Sequence, residues 1–144
     1  MEVTLKVAGE HDREFLYSLH CRTMRTIIEP TWGWDEAWQR NEFDRRLREY
    51  LVSVIECDGC DAGAIVLESK PDSLYIHEFQ VLPEHQGRGV GTAVLRRVID
   101  QAASRGLAVT LSVLRANPRA RHLYERLGFE VTDVEEPFLH MRYA

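Results

Sequence analysis

The stretch Val81-Leu82-Pro83-Glu84-His85-Gln86-Gly87-Arg88-Gly89-Val90-Gly91-Thr92 leads from a strand, through a glycine-rich turn, into a helix. Pro83 stops the strand, since it has no N–H for the ladder. Beyond the turn, Val90, Val94, Leu95, Val98 and Ala102 recur at helical spacing and predict one buried stripe on a helix from about Gly89 to Arg105. Glycines at the turn remove Cβ atoms where a ligand would approach the backbone. Consecutive N–H groups and the positive end of the helix dipole favour an anion there, and Arg88 adds a fixed charge. A glycine-rich helix start that binds nothing has the same composition, so the turn alone leaves both readings open.

Two other phosphate motifs do not fit. A P-loop requires Gly-Lys-Ser/Thr, whereas Gly91 is followed by Thr92-Ala93. The dinucleotide fingerprint requires G-x-G-x-x-G; the spacing here is Gly87-x-Gly89-x-Gly91.

Outward from the turn, the chain predicts the order β-α-α-β-β-β-α-β-α-β-β. Val3 to Val7 alternates as a half-buried strand does. A helix runs from Glu10 to about Ile28, where Pro30 ends it. Asp35 caps a second helix to about Tyr50, with Trp38, Phe43 and Leu47 on its apolar side. Three strands follow: Leu51 to Cys57, Ala62 to Ser69 and Leu74 to Leu82. After the long helix come the strand Ala108 to Leu114, a helix opened by Asn117-Pro118 and ended by Gly128, and the strands Phe129 to Val134 and Phe138 to Tyr143. The expected fold is α/β (α+β): a mixed, mostly antiparallel sheet with helices on both faces. The crossover through the long helix makes the strands on either side of it parallel.

With 144 residues, 44% hydrophobic and 28% charged, the chain suits one domain over residues 1–144. A net charge of −5 argues against a broad nucleic-acid surface. No apolar run approaches the roughly 18 residues of a membrane span, and Met1 to Leu16 lacks the pattern of a signal peptide, so no membrane partner is expected and the cytoplasm is the expected compartment. Cys57-Asp58-Gly59-Cys60 is read as a hairpin turn; with no second ligand pair, no metal site is expected.

The turn does not stand alone. Gln86-Gly87-Arg88-Gly89-Val90-Gly91, preceded by Val81-Leu82-Pro83-Glu84, is followed about 30 residues later by Asn117-Pro118-Arg119-Ala120-Arg121-His122-Leu123-Tyr124-Glu125-Arg126-Leu127-Gly128-Phe129. Together these motifs resemble the GCN5-related N-acetyltransferases (GNAT). The resemblance implies acetyl-CoA as acyl donor and direct transfer of its acetyl group to a primary amine. It implies that backbone groups of Gln86, Gly87, Arg88, Gly89, Val90, Gly91 and Thr92 hold the pyrophosphate. It places the pantetheine arm along Val81 and Leu82, with the Val81 N–H polarising the thioester carbonyl. It gives Asn117 a cofactor contact and Tyr124 a hydrogen bond to the departing thiolate. A non-catalytic acyl-CoA-binding module of the same fold is the alternative, and a homodimer is possible because many relatives dimerise.

The acceptor, a small-molecule or peptide amine, needs its proton removed. A lysine-like amine has a pKa near 10.4, so about 1 molecule in 2,500 is neutral at pH 7. Glu78, on the strand that ends at Val81, is the first choice as general base and His77 the second. Strand alternation puts Glu78 on one face with Ile76 and Gln80. Trp32, Trp34 and Asp35 lie where the resemblance expects the acceptor pocket. They either wall that pocket for a cationic amine or cover the core edge.

Overall fold

The computed structural model describes residues 1–144. Its elements run β1 (Val3–Val7), a 3-10 turn (Glu10–Asp12), α1 (Arg13–Trp32), α2 (Glu36–Glu49), β2 (Leu51–Cys57), β3 (Cys60–Ser69), β4 (Ser73–Val81), a second 3-10 turn (Pro83–His85), α3 (Val90–Ser104), β5 (Ala108–Leu114), α4 (Pro118–Leu127), β6 (Glu130–Glu135) and β7 (Phe138–Tyr143). The seven strands form one sheet in the order β1-β2-β3-β4-β5-β7-β6. The pairs β1–β2, β2–β3, β5–β7 and β6–β7 are antiparallel, and β4–β5 is parallel, as the crossover through α3 requires. No helix is long and apolar enough to cross a membrane.

Two sequence expectations are corrected. Pro30 does not end α1; it sits in the last turn, and the helix continues to Trp32. The stop comes from Gly33 (φ 75°), whose N–H returns to the Glu29 carbonyl at 2.8 Å. A proline this close to a helix end deletes one ladder bond without interrupting anything downstream. Trp38 is not on the apolar side of α2; it is 58% exposed. Five residues separate it from Phe43, about 140° around the helix, whereas Gln39, Phe43 and Leu47 follow the four-residue step and line up. Asp35 does cap α2, accepting from the Trp38 N–H at 3.1 Å.

The chain forms two compact units. The first comprises residues 1–67 and 78–90. Its core joins Leu16 and Leu19 of α1 to Val52 and Val54 of β2, Ala64 and Val66 of β3, and Leu82, with Phe43 and Leu47 of α2 packed against them. The hairpin between β2 and β3 turns on Asp58 (φ 52°) and Gly59 (φ 82°), as an Asp-Gly type I′ turn requires, with Cys57 directly opposite Cys60. The second unit comprises residues 68–77 and 91–144. It buries the stripe Val94, Leu95, Val98 and Ala102 of α3 and the inward residues Val109, Leu111, Leu139 and Met141 of β5 and β7. The rings of Tyr124, Phe129 and Tyr143 pack in sequence at tilted angles, with centroids 5.7 and 5.6 Å apart.

Candidate active site

At Gln86–Gly91 the backbone does what the residue types predict. Gly87 and Gly89 have φ of 75° and 86°, while Arg88 between them has none of the positive φ that would place it among the exceptions. Glycine adopts these positive φ values at no steric cost and leaves no side chain over the backbone of the turn. Nothing lies within 4 Å of a Cβ built on Gly87, and only the Met1 Cε, at 3.9 Å, approaches one on Gly89. The backbone conformation, not crowding, therefore demands glycine, and the space beside it is open. α3 begins at Val90, so its positive end opens on the same turn. These features fit the pyrophosphate of coenzyme A.

The turn is anchored by side chains. Gln86 Nε2 donates to the Val81 carbonyl at 2.7 Å, so its amide ties the turn to the end of β4. The Arg88 guanidinium is exposed, 3.4 Å from His85 Nδ1 and 4.0 Å from Asp58 Oδ2. Below the turn, Gly63 of β3 approaches β4 so closely that a Cβ would sit 2.2 Å from the Gln80 carbonyl oxygen. The Leu82 N–H donates to the Ala62 carbonyl at 2.7 Å. Gly63 is thus required where β4 ends, a role nothing in its sequence context signals.

A cluster of polar side chains gathers around Glu78 in the same unit. Glu78 and Gln80 share a face, as the alternation predicts. Glu78 Oε1 pairs with Arg46 Nη1 and lies 3.5 Å from His20 Nδ1. His20 Nε2 meets Gln39 Oε1 at 2.8 Å, and His20 Nδ1 meets Gln80 Nε2 at 3.3 Å. Arg46 Nε is 3.3 Å from Glu42 Oε1, an ion-pair distance without hydrogen-bond alignment. Beside His20 lie the rings of Trp34 and Tyr17, at 5.7 and 6.3 Å. Glu36 accepts from Tyr17 Oη at 2.7 Å and from Trp34 Nε1 at 3.0 Å. These donors, Tyr17 first, hold the Glu36 carboxyl below its ordinary value, while burial pushes the Tyr17 hydroxyl well above its own. Leu16, Phe43, Leu47, Val52, Ala64 and Val66 wall a pocket onto which Arg46, Glu78 and Gln80 open.

Trp34 therefore joins the polar cluster, whereas Trp32 is 57% exposed and Asp35 caps α2. The carboxylate beside the aromatic rings is Glu36, one residue beyond the one singled out from the sequence. His20, Gln39, Gln80 and Arg46 were also passed over. Their signal is a polar residue on an apolar stripe: His20 four residues after Leu16, and Gln39 four before Phe43.

In the second unit, His77 Nε2 meets Glu68 Oε1 at 2.8 Å, and its ring lies edge-on to Tyr75 at 4.7 Å. Asn117 Oδ1 accepts from the Ala120 N–H at 3.3 Å, capping α4 ahead of Pro118. Tyr124, two turns on, is buried, and that burial raises its hydroxyl far above an ordinary phenol.

Residues 13–129 match the acetyltransferase (GNAT) family model. The spermidine N(1)-acetyltransferase of Vibrio cholerae is 30% identical over 159 residues, covering 99% of this chain and 88% of that protein. An uncharacterized N-acetyltransferase of Methanocaldococcus jannaschii is 39% identical over 83 residues, covering 57% of this chain; the match spans only 37% of that relative's length. Among solved structures, the PaiA N-acetyltransferase of Thermoplasma acidophilum in complex with coenzyme A superimposes with a TM-score of 0.84 at 18% identity, covering 99% of this chain and 98% of that one. The chain belongs to the GNAT family of acetyltransferases, enzymes that take their acyl group from acetyl-CoA.

Proposed function

We propose that residues 1–144 act as one cytoplasmic N-acetyltransferase domain that transfers the acetyl group of acetyl-CoA to a primary amine by direct attack. The observation that carries this reading is the open glycine turn, with positive φ at Gly87 and Gly89, that leads into α3 inside the family match. Bound there, acetyl-CoA supplies an activated thioester carbonyl. Backbone groups of Gln86 to Thr92 hold the pyrophosphate, and Asn117 adds a contact from the start of α4. Val81 and Leu82 run beside the pantetheine arm, and the Val81 N–H donates to the carbonyl oxygen as charge develops.

Tyr124 hydrogen-bonds the departing thiolate. An ordinary thiol has a pKa near 8.5 and a phenol near 10, so full proton transfer would be uphill by about 1.5 units, roughly 2 kcal/mol. Burial raises the Tyr124 hydroxyl above an ordinary phenol, in keeping with a hydrogen-bond donor.

Glu78 accepts the proton of the amine. Removing that proton at pH 7 costs about 4.6 kcal/mol for a lysine-like group, which is why the site needs a base. Trp34, with Glu36 beside it, contributes to the acceptor side; a ring next to a carboxylate suits a cation. The Vibrio cholerae relative is named for a polyamine, which supports a small cationic amine here.

The test is a thermal shift with acetyl-CoA followed by an amine panel read by free thiol release. Ligand at about 100 times its dissociation constant stabilises by roughly 2.7 kcal/mol. Absence of both a thermal shift and co-purified CoA would sink the reading. A shift with no thiol release from any amine leaves an acyl-CoA-binding module in its place.

A further inference from the structure

The Cys57-Asp58-Gly59-Cys60 hairpin has no part in the chemistry above, yet it holds two of the three free cysteines and reaches the glycine turn. Cys57 and Cys60 are direct partners in the β2–β3 ladder, on either side of Asp58-Gly59. Directly opposed residues of an antiparallel pair have Cα atoms about 4.5–5.5 Å apart and side chains on one face. A disulfide spans Cα separations of about 4.4–6.8 Å, so the hairpin already holds the two residues at bonding range. Their environments differ. Cys60 is exposed, whereas Cys57 is 2% exposed.

The hairpin tip is tied to the first strand and to Arg88. Asp58 Oδ1 accepts from the Glu2 N–H at 2.7 Å, and the Asp58 N–H returns to the Glu2 carbonyl at 2.8 Å. The other carboxylate oxygen, Oδ2, lies 3.9 Å from Cys57 Sγ and 4.0 Å from Arg88 Nη2. The Cys57 thiol therefore donates to the oxygen that faces Arg88. Forming a disulfide removes that donor and leaves Oδ2 to the guanidinium. A guanidinium held by a carboxylate is withdrawn from an anion on the turn.

Resting on the reading of the glycine turn as the pyrophosphate site, we propose that Cys57 and Cys60 are a reversible disulfide site whose closure weakens acetyl-CoA binding through Asp58 and Arg88. The oxidant is a low-molecular-weight disulfide. The exposed Cys60 thiolate attacks one of its sulfurs, which makes a mixed disulfide and releases one thiol. The Cys57 sulfur then attacks the Cys60 sulfur, which joins the two Sγ atoms and releases the second thiol. Two electrons pass from the cysteine pair to the oxidant, and the two cysteine protons end on the released thiols. The bond encloses only Asp58 and Gly59, so it gains little from restricting the unfolded chain and a dithiol opens it again.

The ligand-free protein is incubated with glutathione disulfide and its peptides are mapped by mass spectrometry. Cys57 linked to Cys60 is expected in the wild type, with Cys21 free and the link removed by dithiothreitol. Cys57→Ser is expected to stop at glutathione on Cys60. Unreacted thiols, or glutathione that stays on Cys60 in the wild type, overturn the proposal. Calorimetry then compares acetyl-CoA affinity in the oxidised and reduced wild type. The oxidised form is expected to bind about 2- to 5-fold more weakly, the range of an exposed ion pair. Asp58→Asn keeps a residue type that tolerates the φ of 52° and is expected to remove that difference. Equal affinities of the two forms, or a difference that survives in Asp58→Asn, overturn the proposal and leave the acetyltransferase reading intact. Failure of the reduced wild type to bind acetyl-CoA overturns both.

Discussion

The turn residues Gln86–Val90 and the cluster around Glu78 belong to one compact unit but are made from opposite materials. The turn is a backbone device. Its residue types are dictated by φ, and the start of α3 adds a helix dipole beside it. The cluster is a side-chain device. His20 and Gln39 come from two helices, Glu78 and Gln80 from a strand, and they meet only because α1, α2 and β4 pack together. A backbone device tolerates little change in its own residues but is indifferent to its neighbours. A side-chain device has the reverse sensitivity, since each member depends on partners distant in sequence. That contrast predicts where substitutions act.

The largest effect is expected on the chemistry side of the cluster. Glu78→Gln should lower kcat/KM for the amine by about 10²- to 10⁴-fold, the usual range for a general base, with acetyl-CoA affinity unchanged by calorimetry. A parallel loss of acetyl-CoA affinity would erase the separation of the two regions. Gly89→Val should do the opposite. A β-branched residue at φ 86° costs about 1–3 kcal/mol, so acetyl-CoA should bind about 10- to 100-fold more weakly while the cluster stays intact.

Tyr124→Phe should lower kcat by about 10-fold, the value of a hydrogen bond to a charged group, without changing acetyl-CoA affinity. Unchanged turnover, with chemistry shown to be rate-limiting, removes Tyr124 from the mechanism. Gly63→Ala should destabilise by about 1–3 kcal/mol in urea unfolding, because its Cβ would meet the Gln80 carbonyl at 2.2 Å. A neutral result would mean that β3 and β4 can separate beneath the turn.

The smallest effect concerns pH. The Glu36 carboxyl is held down chiefly by the Tyr17 hydroxyl, then by Trp34. A depressed folded value means that its contribution is present above the unfolded value, near pH 4.3, and is lost as pH falls through the folded value. The stability gap between wild type and Glu36→Gln should therefore exist at pH 7 and close on acidification. A gap that persists in strong acid would assign the effect to something other than this ionisation.

Legibility followed the same division. The strands β1, β2, β5 and β7 and the cap at Asp35 could be read directly, because alternation and capping are local rules. The stop at Gly33 instead of Pro30 was a contest between two local signals near a helix end, which only the folded chain resolves. Trp38 shows how a large apolar residue draws attention that its position on the helix does not support. Tyr17, His20 and Gln39 were illegible for the opposite reason, since polar groups on an apolar stripe look like interruptions until their partners are known.

By itself, the sequence determined the order of elements, the glycine turn and the two motifs that mark the family. Each rests on periodicity or on φ, which short stretches of chain encode. Only the tertiary structure decided that Glu36 and not Asp35 stands with Trp34, that Arg46 holds Glu78, and that His20 lies between Gln39 and Gln80. At His20, Gln39 and Gln80 burial removes water as the alternative partner, so these groups are defined by whichever neighbour the packing of α1, α2 and β4 supplies.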